Sequence, residues 1–413
     1  MARKQTNRPD YPGPSRRQRE PRLSDRRNRK MAESVHAYVR GNAVQFYAWL
    51  SGLHVGALPE GPAIWICGDC HVGNLGPVAD EQGRVAVQIR DFDQTVIGNP
   101  AHDLVRLGLS LATAARSANL PGITTARMME ALFDGYERAF DPRRSEEIRK
   151  AQRPSAVRVA MKEALHRSWR QLARQNIAGT APRIPVGKRF WPLTNRETAQ
   201  IRVMFEADDG AALASVMRQA RPGVKVDVLD AAYWVKGCSS LGRLRYAVLV
   251  DIDHACADGG TPCLIDIKEA AAVAAPRYPH NRMPQDNAGR VVEGAVHMSP
   301  FLGDRMKAAR LCDRSVVLRE LLPQDLKLEV EELGEADAVK AARFLALIVG
   351  QAHACQMDAA SRKSWLGDLR RSHSKSLCVP SWLWLSVIEL MGLHEPAYLE
   401  HCRQYALGRP ARQ

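Results

Sequence analysis

Residues 68–74 read Gly-Asp-Cys-His-Val-Gly-Asn and follow a short apolar run, so Asp69 and Asn74 sit five positions apart in a loop that two glycines keep tight. Phosphoryl transfer asks for a carboxylate that orients or deprotonates the attacking hydroxyl, and for oxygen ligands that hold a metal on the phosphates. Asp69 suits the first role and Asn74 the second. Seventeen residues beyond Asn74, Asp91 opens Asp-Phe-Asp-Gln-Thr after a second β-type run, where it can deliver another metal-holding carboxylate. Magnesium is the cation that prefers such hard oxygen ligands. Each acid alone reads equally well as a turn residue satisfying backbone N–H groups, and the argument rests on their combined spacing.

A second constellation is the turn at 237–242, with Gly237, Ser239, Ser240 and Gly242 between two β-type runs. Its backbone amides can point at phosphate oxygens, or it can be a plain hairpin. Twenty-six residues after Gly242 comes Lys268, a cation on an otherwise apolar strand. Burial there needs an anion, either a nucleotide phosphate or the neighbouring Asp266 or Glu269. Cys67, Cys70 and His71 also spell the CxxCH of a haem attachment site, but without an export signal the two cysteines read as small packing residues. His353, near the end of an apolar stretch, reads as a satisfied core histidine. Arg40 can reach a phosphate or form a surface ion pair on its helix.

These residues must be carried by local elements. Residues 31–53 show apolar positions at helical intervals interrupted near Gly41, which predicts two helical pieces. Residues 63–67 and 84–93 read as strands that lead into the two acidic loops. Helices are expected over 101–118 and 124–140, with a charged helical stretch over about 144–177. After a proline-marked connector, β-type runs follow at 225–235, 243–252, 262–270 and 315–323. Helical periodicity returns at 338–357 and 381–394.

The 413 residues carry a net charge of +14, with 45% hydrophobic and 25% charged residues, which excludes a fibrous or wholly disordered chain. No run of about 20 apolar residues occurs, so a membrane-spanning helix is excluded. The N-terminus has no apolar secretory core, and nine scattered cysteines do not form a framework, so a cytoplasmic location is expected. Residues 1–30 hold eleven Arg or Lys against three acids, interspersed with proline, and are expected to be a flexible arm, mobile to at least about residue 22. Such an arm is either a solvated tail or a polyanion-binding segment.

Arg40-Gly-Asn-Ala43, the two acidic loops, Asn99-Pro-Ala-His-Asp-Leu104, the glycine turn and the strand of Lys268 together resemble the bacterial family of domain of unknown function 2252. More distantly, they resemble the protein-kinase-like fold of aminoglycoside and choline phosphotransferases. The resemblance implies ATP and Mg2+ as cofactors. It makes Asp69 the catalytic acid/base, Asn74 and Asp91 metal ligands and Asp103 a loop-bracing carboxylate, and it asks for a helix partner of Lys268, for which Glu293 is the candidate, the alternative being that Glu293 is a solvated helix charge. The motif order is reversed relative to kinases, which implies circular permutation, with 319–329 as hinge. Ser239 stands where the family usually places glycine.

The expected fold class is α+β, two-lobed and protein-kinase-like. A basic arm would span 1–30, a helical lobe 31–180 and 326–413, and a β-rich nucleotide-binding lobe 183–325. The expected function is phosphoryl transfer from ATP to a hydroxyl of an unidentified acceptor, a small molecule by preference. AMP transfer, or a non-catalytic nucleotide-sensing or nucleic-acid-associated module, is the alternative.

Overall fold

The structure, a computed structural model, describes residues 13–141, 143, 154–166, 183–206, 225–238, 240–252, 262–278, 281–326, 333–370 and 378–406. The chain is α+β. It opens with α1 (Arg16–Met31), α2 (Val35–Gly41) and α3 (Ala43–Ser51), then four short strands: β1 (Ile64–Ile66), β2 (Leu75–Ala79), β3 (Val85–Ile89) and β4 (Val96–Gly98). Strand β1 pairs with β4 and β2 with β3, both antiparallel. This nesting forces the β1–β2 loop, with Asp69, against the β3–β4 loop, with Asp91. Helix α4 (Pro100–Ser117) follows; the Asn99 side chain caps it, accepting from Ala101 N at 2.9 Å. Nearly every α4 residue is buried, because α5 (Gly122–Arg138), α10 (Glu335–Ala354) and α12 (Ser381–Tyr405) pack around it.

Between these helices in sequence lie α6 (Ser155–His166) and a six-stranded antiparallel sheet, ordered β5-β6-β7-β8-β10-β9. Its strands are β5 (Phe190–Trp191), β6 (Val226–Trp234), β7 (Arg245–Ile252), β8 (Cys263–Glu269), β9 (Met306–Leu311) and β10 (Arg314–Glu320); α7 (Asn195–Glu206), α8 (Asn287–Met298) and α9 (Pro300–Gly303) lie among them. The period-two alternation of strands sorts the side chains of β7, β8 and β10. Tyr246, Val248, Ile265, Ile267, Val316 and Leu318 share one apolar cluster with Ile201 and Phe205 of α7. The opposite set holds Ala247, Leu249 and Leu264, and along the same face Arg245, Asp266, Lys268 and Arg319. The second face therefore changes from apolar to charged along its length. Helix α11 (Ala359–Arg370) completes the described elements. None of the described helices is long and apolar enough to cross a membrane.

The structure corrects the expected flexible arm. Residues 1–12 lie outside the described residues, but the second half of the basic arm is helix α1 and not a flexible tail. Every third or fourth position of α1 finds a partner. Arg19 Nη1 donates to Glu197 at 2.7 Å and Nη2 to Pro192 O at 2.8 Å, Leu23 enters the sheet cluster at 1% exposure, and Lys30 Nζ donates to Gly237 O at 2.9 Å. Composition suggested disorder, but a few buried groups offset the ordering entropy. Leu23→Ala is accordingly expected to cost about 2 to 4 kcal/mol in denaturant unfolding. A loss below about 0.5 kcal/mol would return α1 to the status of a loosely attached tail.

The apolar helical periodicity covers 381–394, yet helix α12 runs on through Pro396 to Tyr405. A proline inside a helix forfeits one backbone hydrogen bond. Contacts with the N-terminal segment offset the loss: Tyr398 Oη donates to Ala32 O at 3.2 Å, and the His401 ring bonds Asn28 O at 2.8 Å. Of the expected charged helix over 144–177, α6 covers the described part; the remainder lies outside the described residues.

Three histidines set an acid limit on stability. Burial holds His36, His102 and His394 down to about 4, with Arg106 adding to the effect at His36 and His394. Each folded value lies below the unfolded value of about 6.5, so the unfolded chain takes up the proton first as pH falls. Their contribution is complete above pH ~6.5 and is lost toward pH ~4, at up to about 1.4 kcal/mol per pH unit for each group. Asp69 and Asp93 are shifted upward, which opposes this trend as they take up protons. Unfolding free energy should therefore fall between pH 6.5 and 5; a flat profile there would mean these rings are hydrated in the folded state.

Candidate functional site

The β1–β2 loop is built to present Asp69. Gly68 has φ +74°, and a Cβ there would lie 2.0 Å from Gln94 O, so only glycine lets the loop pass. Beneath it, the Asp103 carboxylate on α4 accepts Cys67 N at 2.7 Å and Gly68 N at 2.9 Å. His353 of α10 bonds the same carboxylate at 3.1 Å, its other ring nitrogen meets Tyr136 Oη at 2.9 Å, and that hydroxyl accepts Trp365 Nε1 at 3.0 Å. Asp103 thus ties two backbone amides of the loop to α4, and His353 is a satisfied core residue. One helical turn on, Arg106 Nε donates to Asp69 Oδ1 at 2.8 Å and Nη2 to Val39 O at 2.6 Å. Ser110 Oγ then accepts Val72 N at 3.2 Å. Asp103, Arg106 and Ser110 form one face of α4 turned to the loop.

Burial raises the Asp69 carboxyl above its ordinary value; Arg106 opposes this, and Asp91 and Asp93 add to it. Burial drives His71, whose Nε2 is 3.9 Å from Asp69 Oδ2, well below the usual imidazole value, with Arg40 and Arg106 reinforcing the neutral ring. Asn74 Nδ2 donates to Asp69 O at 2.9 Å, which leaves the amide oxygen without a protein donor among the described residues.

Asp91 and Asp93 meet Lys268 from the sheet. Its ammonium lies 3.0 Å from Asp91 Oδ1 and 2.7 Å from Asp93 Oδ1. Burial alone would raise Asp91, but Lys268 overrides it and holds that carboxyl low; burial and the adjacent Asp91 charge push Asp93 up. Glu293, the expected partner of Lys268, does not line the cleft, and its backbone carbonyl serves His297. From α8, Val291 lines the cleft, and Arg290 donates to Thr95 O at 2.5 Å, Asp93 O at 3.2 Å and Ala271 O at 3.0 Å. Helix α8 therefore grips the β3–β4 loop through its carbonyls and leaves the lysine to the loop's own acids.

The loops and the sheet enclose a cleft of about 480 Å³ lined by Asp69, His71, Asn74, Asp91, Asp93, Gly237, Ser240 and Lys268. Gly237 and Gly242 have φ +102° and +104°, so the glycine turn uses left-handed backbone at both ends; Gly242 does not line the cleft, and Ser239 lies outside the described residues. No group of three or more His, Cys, Asp or Glu among the described residues is arranged to hold a metal by itself. Asn74 and Asp91 both line the cleft, and the Asp91 carboxylate is paired there with Lys268. Sequence reasoning missed Asp93 and Arg106, although their offsets of two and three residues from Asp91 and Asp103 were available signals. It also missed the charged wall of Lys236, Arg245, Asp266 and Arg319.

An α+β protein whose nested loops and sheet converge on one charged cleft is the class defined by this fold and site. Residues 19–404 match DUF2252, a family described as uncharacterised proteins conserved in bacteria, and the chain belongs to that family. No curated protein and no solved structure matches it.

Proposed function

We propose that the protein is a kinase-like phosphotransferase, circularly permuted and two-lobed, that moves the γ-phosphoryl group of ATP to an acceptor hydroxyl. The observation that carries this reading is convergence. Asp69, Asn74, Asp91 and Lys268, which lie up to 199 positions apart in the sequence, line one cleft. Asp69 accepts the hydroxyl proton as the acceptor oxygen attacks phosphorus, and ADP leaves. Its raised proton affinity favours that role, while Arg106 keeps the carboxylate aimed. Lys268 exchanges part of its pairing with Asp91 and Asp93 for the phosphates, and Asp91 and Asn74 would hold magnesium, which neutralises phosphate charge.

The test is incubation with γ- and α-labelled ATP, magnesium and a cell extract. Movement of the γ label onto an acceptor supports the proposal. Movement of the α label would assign AMP transfer, and stoichiometric nucleotide binding with neither label moved would assign a non-catalytic module.

A further inference from the structure

The sheet wall of the cleft has an unusual charge. Two positions before Lys268 on the same face of β8 stands Asp266, and across the ladders stand Arg245, paired in register with Lys268, and Arg319, paired with Asp266. Arg245 grips Asp266 through two bonds, at 2.9 and 2.6 Å, and Arg319 reaches it at 3.4 Å. Beside them Arg90 donates to Asp325 O at 3.2 Å, while the Asp325 carboxylate is taken by Arg305 at 3.0 and 3.2 Å. Lys236 joins this group with no hydrogen bond or ion pair among the described residues; its ammonium rests 4.1 Å above the Trp234 ring. On this wall of the cleft Lys236, Arg90, Arg245 and Arg319 thus face Asp266 and Asp325, four bases to two acids.

Such an excess is costly in a partly closed cleft. Burial, then Arg245, drives the Lys236 ammonium well below its usual range. That cost falls when an anion binds.

We propose that Lys236, Arg245, Arg319 and Arg90 form an anion subsite, which receives a phosphate-class group of the ligand apart from the phosphates placed at Lys268 and Asp91. The inference rests on the phosphotransferase reading for the identity of the second group, but its own test does not need turnover. The group comes either from the nucleotide or from a phosphorylated acceptor.

The experiment titrates inorganic phosphate into the full-length protein by calorimetry without magnesium, beside Lys236→Met and Arg319→Gln. Phosphate should bind the wild type and raise its melting temperature. Each variant should weaken binding at least 10-fold, and Lys236→Met without ligand should melt no lower than wild type, since it relieves repulsion. Phosphate affinity that is unchanged in both variants, or lower unliganded stability of Lys236→Met, would overturn the subsite. Repeating the titration with saturating magnesium-ATP separates the sources: loss of phosphate binding assigns the subsite to the nucleotide, and retained binding assigns it to the acceptor. Asp91→Asn should keep magnesium-free phosphate binding. If Asp69→Asn and Asp91→Asn both leave magnesium-ATP binding and label transfer unchanged while Lys236→Met still loses phosphate, the phosphotransferase reading fails and the anion subsite stands.

Discussion

Asp69→Asn is expected to lower turnover by about 100-fold or more while magnesium-ATP affinity stays near wild type, because the acceptor's proton is transferred only in the transition state. The isosteric change keeps an oxygen for Arg106 Nε at Oδ1, so the loop retains its anchor. Asp91→Asn should behave differently, losing magnesium-dependent nucleotide affinity and turnover together. On the proposed reading its charge holds the cation, and in the structure it pairs with Lys268. Calorimetry of both variants with magnesium-ATP, beside a labelled-phosphate assay, decides the roles. Loss of binding in Asp69→Asn with retention in Asp91→Asn would invert the assignment, and two silent variants would remove the site from catalysis. The wild-type rate should also fall on the acid side at a pH above the ordinary carboxylate value, because burial raises Asp69 and the base works only when ionised.

Asp103→Ala should have the largest effect on stability. Its fully buried carboxylate accepts from two backbone amides and from His353. Alanine would strand three buried polar groups at once, at a cost of about 3 to 5 kcal/mol. Denaturant unfolding measures this directly, and turnover should fall with it, since the same amides set the backbone from which Asp69 projects. A loss under about 1 kcal/mol would show that water replaces the carboxylate and that the brace is dispensable.

Much of this arrangement is legible along the chain. Apolar runs, alternation and turn residues locate β1, β3, β6, β7, β8 and β10 and the acidic loops between them, because backbone geometry is local and its periodicity is written in neighbouring residues. Some elements are not legible in this way. Strand β2 reads Leu-Gly-Pro-Val-Ala, with glycine and proline in the middle, and forms because β3 pairs with it; α7 and α8 mix polar and apolar positions that only their packing sites distinguish.

Charge partners escape sequence reading almost entirely. Lys268 has acids at 266 and 269 beside it, yet it binds Asp91 and Asp93 from a loop about 175 residues earlier, while Asp266 goes to Arg245 and Arg319. Electrostatic pairing depends on distance in space and on burial, which sequence separation does not encode. The order of α1 has the same origin. Proline and arginine content argued for a tail, and the apolar and charged groups that hold Arg19 and Leu23 lie on the sheet side of the molecule, near residues 192–267. Residue types and spacing therefore determined which side chains can do chemistry here. Tertiary packing decided which of them meet, which carboxylate is held ionised and which is pushed toward its protonated form, and that Lys236 comes to lie in the cleft over Trp234 with no ion pair among the described residues.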